Sequence, residues 1–188
     1  MKKHEQRYHG AKTLLKKFGA LENGGRIVDI GSGYQGLRKL LPNKGVIYTP
    51  VDVEERVPGS RTVICNLNKQ EFPFFMGEKV SAFVFLGSFE YILDKMNVLR
   101  SCRVKNAHIV MHYHVGMVDQ GKGFSWVAPF SKEALVESAS IVGYNIYFFS
   151  TRDGMTKFTQ TDEENIKEVL STTMLNTGPM LIYFTPKV

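Results

Sequence analysis

Three closely spaced glycines follow a short apolar segment that carries one acidic residue. Residues 27–30 lead into Gly31, Gly33 and Gly36, and Asp29 lies two residues before the first glycine. A strand that enters a glycine turn at the start of a helix brings backbone N–H groups close to a ligand. The spacing also fits dinucleotide sites, but a carboxylate at Asp29 would repel a pyrophosphate. We therefore expect a nucleoside-like cofactor with a cationic amino-acid end, with Asp29 binding that end and the N–H groups of the loop.

A pair of histidines in the middle of the chain has the spacing needed for general base chemistry. His112 and His114 are two residues apart in an apolar run, so both face the same side if the run forms a strand. Either imidazole could accept a proton near neutral pH. Hydrogen bonding to the backbone at a strand end is an equal alternative. A metal site is disfavoured because no carboxylate ligand lies nearby in the sequence.

The order of the sequence blocks resembles that of the class I S-adenosylmethionine (SAM)-dependent methyltransferases. Residues 28–33 are similar to the first motif of this family, and residues 46–52 read as a second strand that ends in Asp52. Residues 66–74 resemble the block that contacts the adenine edge, and residues 81–92 resemble the fourth strand with its cofactor-facing loop. The resemblance covers nearly the whole chain and implies a SAM-binding enzyme.

The resemblance implies a role for each matching position. Asp52 would bind the ribose hydroxyls through its two oxygens, and Asn66, where the family often has an acid, would bind the adenine amino group without charge assistance. Glu90 would point toward the acceptor, although the helix dipole explains an acid in a first helical turn equally well. The candidate catalytic residues are His112, His114 and Glu90. The candidate cofactor-binding residues are Asp29, Gly31, Ser32, Gly33, Gly36, Asp52, Val53, Asn66, Leu67, Leu86, Gly87 and Ser88.

Length and composition bound the class of protein. With 188 residues, of which 43% are apolar, the chain is expected to form one domain over residues 1–188. It contains no apolar run of about eighteen residues and no signal core near its start, so the sequence predicts a protein that neither enters a membrane nor is exported. Cys65 and Cys102 have no CxxC spacing, which favours a reducing, cytoplasmic location and no structural zinc.

The net charge of +6 is concentrated near the start of the chain. Several lysines and Arg7 crowd a predicted helix within residues 1–20, and the family resemblance places such a helix beside the cofactor mouth. Tyr8 and His9 are candidates for a lid over the substrate, although packing is the simpler interpretation. Because no aromatic residues alternate with the basic ones in a stacking pattern, we favour a solvated helix face over a nucleic-acid site.

Alternating strand and helix patterns predict an α/β protein. Together with the family resemblance they imply a Rossmann-like fold, with a mostly parallel seven-stranded sheet, an antiparallel last strand and helices on both faces. The predicted strands are at residues 27–30, 46–52, 61–65, 80–86, 107–113, 144–150 and 180–185, and the predicted helices are at residues 5–18, 37–41, 91–100 and 131–142 and after a capping box at 161–164. Residues 53–60 and 68–79 look too short or too rich in Pro and Gly for full crossover helices.

A long segment after the predicted fifth strand is a candidate lid. Residues 115–130 contain Trp126, which could close over a sugar or aromatic acceptor, or could simply anchor the segment. Further along, Arg152 and Lys157 could meet an anionic group, although exposure is the simpler interpretation.

These observations favour a SAM-dependent methyltransferase that acts on a small molecule. A sugar or glycan-precursor hydroxyl is the preferred acceptor, and such an acceptor needs a general base. The alternatives are an RNA methyltransferase, which the basic N-terminal helix would suit, and a SAM-binding scaffold that has lost turnover. A dehydrogenase that binds NAD is the remaining alternative.

Overall fold

A single mixed sheet forms the centre of the protein in the computed structural model, which describes residues 3–22, 24–73, 78–115, 130–150 and 178–188. The seven strands lie in the order β3-β2-β1-β4-β5-β7-β6. Strands β1 to β5 pair in parallel, whereas β7 is antiparallel to both of its neighbours. The strands are β1 (Arg26–Ile30), β2 (Ile47–Asp52), β3 (Val63–Ile64), β4 (Val80–Leu86), β5 (His108–Val115), β6 (Tyr144–Ser150) and β7 (Gly178–Pro186).

Helices cover both faces of this sheet. The helices are α1 (Lys3–Lys17), α2 (Lys95–Val104) and α3 (Lys132–Val142), and a 3₁₀ turn spans Phe89–Tyr91. Leu14 and Leu15 of α1 belong to the apolar cluster on one face of the sheet. Leu99 of α2 and Leu135 of α3 belong to the cluster on the other face. The predicted Rossmann-like fold with an antiparallel last strand is therefore confirmed.

Side-chain caps determine where α2 and α3 begin. Asp94 accepts a hydrogen bond from the Asn97 N–H at 2.9 Å, and Ser131 accepts one from the Ala134 N–H at 3.1 Å. The prediction for α3 is confirmed, and Gly143 ends this helix with φ of 86°. The predicted start of α2 at residue 91 is wrong because the chain first makes the 3₁₀ turn and becomes α-helical only after the Asp94 cap.

The predicted helix around residues 37–41 is wrong, because residues 33–40 form consecutive turns. Gln35 has φ of 56°, which interrupts a right-handed helix, and its N–H donates to the Ser32 carbonyl three residues earlier. Leu37 and Leu41 are nevertheless buried, as their apolar character predicts. The connection after β1 thus packs on the sheet without becoming an α-helix.

Two strand boundaries also differ from the prediction. The strand predicted at 61–65 is reduced to the two residues of β3, because Arg61 just before it has φ of 55° and breaks the extended conformation. The strand predicted at 107–113 is longer, since β5 continues to Val115. The described residues between β2 and β4 contain no helix, as predicted for these short connections.

Several predicted features lie outside the described residues. They are the helix after residues 161–164, Trp126, Arg152 and Lys157. None of the three α-helices in the described part of the chain has the length and apolar character needed to cross a bilayer.

Candidate functional site

The carboxyl ends of β1, β2, β4 and β5 meet at one edge of the sheet, because these strands are parallel neighbours. The loops that follow them are tied together by direct contacts. The Ser88 hydroxyl donates to the Ile30 carbonyl at 2.5 Å, and the Gly87 N–H donates to the His112 carbonyl at 3.2 Å. Leu86 is buried beneath these loops and Val53 is exposed beside them. The predicted site residues from four separate segments therefore surround one region.

Asp52 holds the glycine loop in place. Its Oδ2 atom accepts a hydrogen bond from the Gly33 N–H at 2.7 Å, and its Oδ1 atom accepts one from the Val53 N–H at 2.7 Å. Each carboxylate oxygen has a second lone pair. Asp52 can therefore bind two ligand hydroxyls while it keeps both backbone contacts.

The three glycines of the loop have different surroundings. A Cβ atom on Gly31 would lie 2.4 Å from the Ser88 Cβ, and one on Gly36 would lie 2.4 Å from the Tyr8 ring. Gly33, with φ of 52°, has no atom within 4 Å of the corresponding position. Gly31 and Gly36 thus allow close packing within the protein, whereas Gly33 borders open space where a ligand could approach.

Asp29 does not bind the N–H groups of the loop, contrary to the sequence-based expectation, because Asp52 binds the Gly33 N–H instead. The Asp29 carboxylate accepts a hydrogen bond from the Tyr48 hydroxyl at 2.6 Å. Burial raises the pKa of Asp29 to about 6, and the nearby Arg7 charge offsets part of this effect. Asp29 is therefore a buried acid beneath α1, within the electrostatic reach of Arg7.

The segment after β3 is ordered by its own asparagines. The Asn66 side-chain oxygen accepts a hydrogen bond from the Asn68 N–H at 3.0 Å, and Leu67 packs against the core. The Asn68 side chain donates to the Tyr91 carbonyl at 2.7 Å and accepts from the Leu93 N–H at 2.8 Å. Asn68, which the predicted site residues do not include, thus fixes the chain that follows the 3₁₀ turn.

The three predicted catalytic residues lie together. The rings of His112 and His114 have centroids 5.4 Å apart, so they share a side of β5 as expected. Glu90, which is 4% exposed, places its Oε1 atom 3.0 Å from Nδ1 of His114. Burial, and then the charge of His114, lowers the pKa of His112 to about 4. His112 is consequently neutral at pH 7, and His114 is the histidine oriented by a carboxylate.

Arg7 and Tyr8 of α1 cover this edge of the sheet from above. The Arg7 guanidinium donates to the Tyr8 hydroxyl at 3.1 Å and lies 2.9 Å from the position of a Cβ on Gly87. The predicted site residues do not include Arg7. In the sequence, Arg7 is marked as a site residue only by its position beside Tyr8, on a helix that is expected to border the cofactor mouth.

Buried polar atoms that lack a hydrogen-bond partner are concentrated at this site. The described part of the chain has seven such side-chain atoms. Four of them, on Arg7, Ser32, Glu90 and His112, lie in the segments that meet here. Because buried polar groups in proteins are normally paired, this concentration marks a region where a ligand could supply the missing partners. No cluster of three or more metal-ligating side chains occurs among the described residues.

Comparison with known proteins gives matches at the level of structure. No family model matches the sequence, and no curated protein matches it either. A SAM-dependent methyltransferase from Archaeoglobus fulgidus superposes with a TM-score of 0.62 at 17% identity, covering 96% of this chain and 94% of that chain. The plantazolicin methyltransferase BamL, in a complex with SAH, superposes with a TM-score of 0.65 at 13% identity, covering 98% and 86%.

A third solved structure with this fold is not named as a methyltransferase. The [4+2]-cyclase SpnF superposes with a TM-score of 0.63 at 11% identity, covering 96% of this chain and 81% of that chain. At these identities the comparisons establish the fold alone. They confirm, at that level, the resemblance that the sequence blocks indicate.

Proposed function

We propose, from the premise that this chain has the class I SAM-dependent methyltransferase fold, that it transfers a methyl group from SAM to a small-molecule hydroxyl. The preferred acceptor is a sugar or glycan-precursor hydroxyl. We further propose that residues 1–188 form one domain and that the protein acts in the cytoplasm. The observation that carries this proposal is the concentration of unpartnered buried polar atoms where the glycine loop, the 3₁₀ turn and β5 meet.

The residues at the ends of β1 and β2 fit the nucleoside part of SAM. Asp52 retains acceptor capacity for two ribose hydroxyls, and the open space at Gly33 permits close approach to the backbone. The buried Ser32 hydroxyl lacks a partner and could donate to the ligand. When bound, SAM would supply a methyl group already activated on a sulfonium.

The residues at the end of β5 fit a hydroxyl acceptor. Methyl transfer to a hydroxyl requires alignment and removal of the hydroxyl proton. In the tautomer in which His114 Nδ1 donates to Glu90, the Nε2 atom is the one that accepts a proton. Glu90 orients this ring and stabilises the imidazolium that forms, as a buried carboxylate does beside a catalytic histidine. His114 is therefore the proposed base and Glu90 its positioning residue.

Cofactor binding is the first test. Calorimetry should detect binding of S-adenosylhomocysteine (SAH), the demethylated product of SAM. Asp52→Ala should weaken this binding by about 2 to 3 kcal/mol, because charged hydrogen bonds to the ribose are lost. Glu54→Ala, which removes an exposed carboxylate two residues away, is the matched control and should bind normally. No binding by the unmodified protein would rule the proposal out, whereas unchanged affinity in Asp52→Ala would mean that Asp52 does not bind the ribose.

Methyl transfer is the second test. Labelled SAM should transfer its methyl group to a member of a sugar mixture but not to an RNA pool. His114→Ala should lower turnover by about 10²- to 10⁴-fold, the range typical for a lost general base, and leave SAH affinity nearly unchanged. His112→Ala changes a neighbouring ring on the same side and should reduce turnover much less. Label in the RNA pool alone would favour the RNA methyltransferase alternative.

A second candidate function is a SAM-binding protein without methyl transfer. One structural neighbour is named as a cyclase, so proteins with this fold are not all named for methylation. If SAH binds but no acceptor mixture takes the label, the non-methylating alternative is favoured.

A further inference from the structure

We infer that Arg7 binds the carboxylate of the cofactor's amino-acid end, so that α1 supplies one wall of the cofactor site. This inference deepens the proposed function and rests on it. Arg7 lies outside all of the sequence blocks that resemble the methyltransferase family.

The guanidinium of Arg7 lacks a compensating anion in direct contact. Its Nε atom is buried and has no hydrogen-bond partner, and no carboxylate of the described residues lies within ion-pair distance of it. The guanidinium donates a hydrogen bond to the Tyr8 hydroxyl, and its carbon lies 5.0 Å from the centroid of the Tyr8 ring. A cation whose buried N–H is unpaired is costly unless an anion binds there.

The position of Arg7 directs it toward the methionine part of the site. It lies against Gly87, where any Cβ would be 2.9 Å from one of its terminal nitrogens. Gly87 and Ser88 follow β4, and Ser88 contacts both Gly31 and the end of β1. Arg7 therefore lies next to the place where the loop after β1 contacts the loop after β4.

The charges around this junction match an amino acid. The acids Asp29 and Glu90 can attract an ammonium group, and Arg7 is close enough to act electrostatically on Asp29 and on His112. SAM carries an ammonium and a carboxylate on the same carbon, so its amino-acid end requires both an acidic and a basic partner. A planar guanidinium can bind both oxygens of a carboxylate at once, which a lysine ammonium cannot do with the same geometry.

The test compares two ligands that differ by one group. Calorimetry is carried out with SAH and with decarboxylated SAH, which lacks the carboxylate, on the unmodified protein and on Arg7→Met. The unmodified protein should bind SAH about 10- to 100-fold more tightly than the decarboxylated ligand, since a charge-assisted contact is lost. Arg7→Met should lose this preference by weakening SAH alone. Arg7→Lys should restore part of it, and Lys16→Met, which removes an exposed charge from the same helix, should retain all of it.

The possible results of these binding measurements distinguish a failure of the Arg7 inference from a failure of the proposed function. Equal affinity of the unmodified protein for the two ligands overturns the inference and leaves SAM binding intact. So does an Arg7→Met variant that weakens both ligands by the same factor, because that result describes a structural role. If the unmodified protein binds neither ligand, the proposed function fails and the inference fails with it. If Arg7→Met does not fold, Arg7→Lys carries the comparison, and its preference for SAH should fall below that of the unmodified protein.

Discussion

At the scale of single residues, the two aspartates near the glycine loop are both buried but have different hydrogen-bond donors. Asp52 accepts hydrogen bonds from two backbone N–H groups, whereas Asp29 accepts one from the Tyr48 hydroxyl. The sequence predicts that Asp29 binds the N–H groups of the loop. The structure assigns one of them to Asp52, since the Asp29 side chain lies with Tyr48 on the α1 face of β1.

The burial of Asp29 predicts a measurable pH dependence of stability. Its pKa rises from 3.8 to about 6 on folding, so the folded state binds the proton more tightly than the unfolded state. The stabilisation from this proton is fully present below pH 3.8 and is lost as the pH rises through about 6. Relative to Asp29→Asn, which cannot ionise, the unmodified protein should lose about 3 kcal/mol of unfolding free energy across this interval.

Urea denaturation at a series of pH values measures this difference. Glu54→Gln changes an exposed carboxylate and serves as the control, with a stability difference from the unmodified protein that should stay nearly constant. A constant difference for Asp29→Asn as well would show that Asp29 ionises in the folded protein as readily as in the unfolded chain.

At the scale of secondary structure elements, the buried strands are the most predictable parts. β4 and β5 are apolar runs buried on both faces, and their predicted bounds agree with the structure within two residues. The start of α2 depends on one cap at Asp94, and the turns after β1 depend on the positive φ of Gln35, neither of which apolar periodicity reveals. The position of Arg7 at the site is not predictable for another reason. Its contact with Gly87 joins two segments that are far apart in the sequence.

The contact between α1 and the glycine loop predicts a coupled pair of substitutions. A Cβ on Gly36 would overlap the Tyr8 ring, so Gly36→Ala should destabilise the protein by about 1 to 3 kcal/mol. In the Tyr8→Ala background the same change should be nearly neutral, because the ring is gone. Thermal or urea unfolding of the four proteins gives the coupling energy. Additive effects would show that α1 does not rest on the loop in solution.

At the scale of the whole molecule, stability is expected to be highest where β7 inserts between β5 and β6. β7 pairs on both sides, and Ile182, Tyr183 and Phe184 are completely buried. β3 has two residues and forms the opposite edge of the sheet. The order of these strands follows from the fold that the sequence blocks predict, whereas the shortness of β3 does not.

Hydrogen exchange should show that local stability is higher in β7 than in β3. The amides of Ile182 and Phe184 should exchange only through global unfolding, and those of Val63 and Ile64 should exchange through local opening at much lower free energy. Exchange measured by NMR over a range of low urea concentrations distinguishes the two mechanisms. Comparable protection of β3 and β7 would contradict this assignment.

The double contact of Asp52 also has a kinetic consequence. Because this carboxylate holds Gly33 and Val53 before any ligand arrives, the proposed ribose side of the site is already ordered, so that binding there costs little conformational entropy. On the opposite side of the loop, the Tyr8 ring of α1 packs against Gly36 and Arg7 lies against Gly87. We therefore expect a nucleoside to associate without a slow step in which the glycine loop becomes ordered.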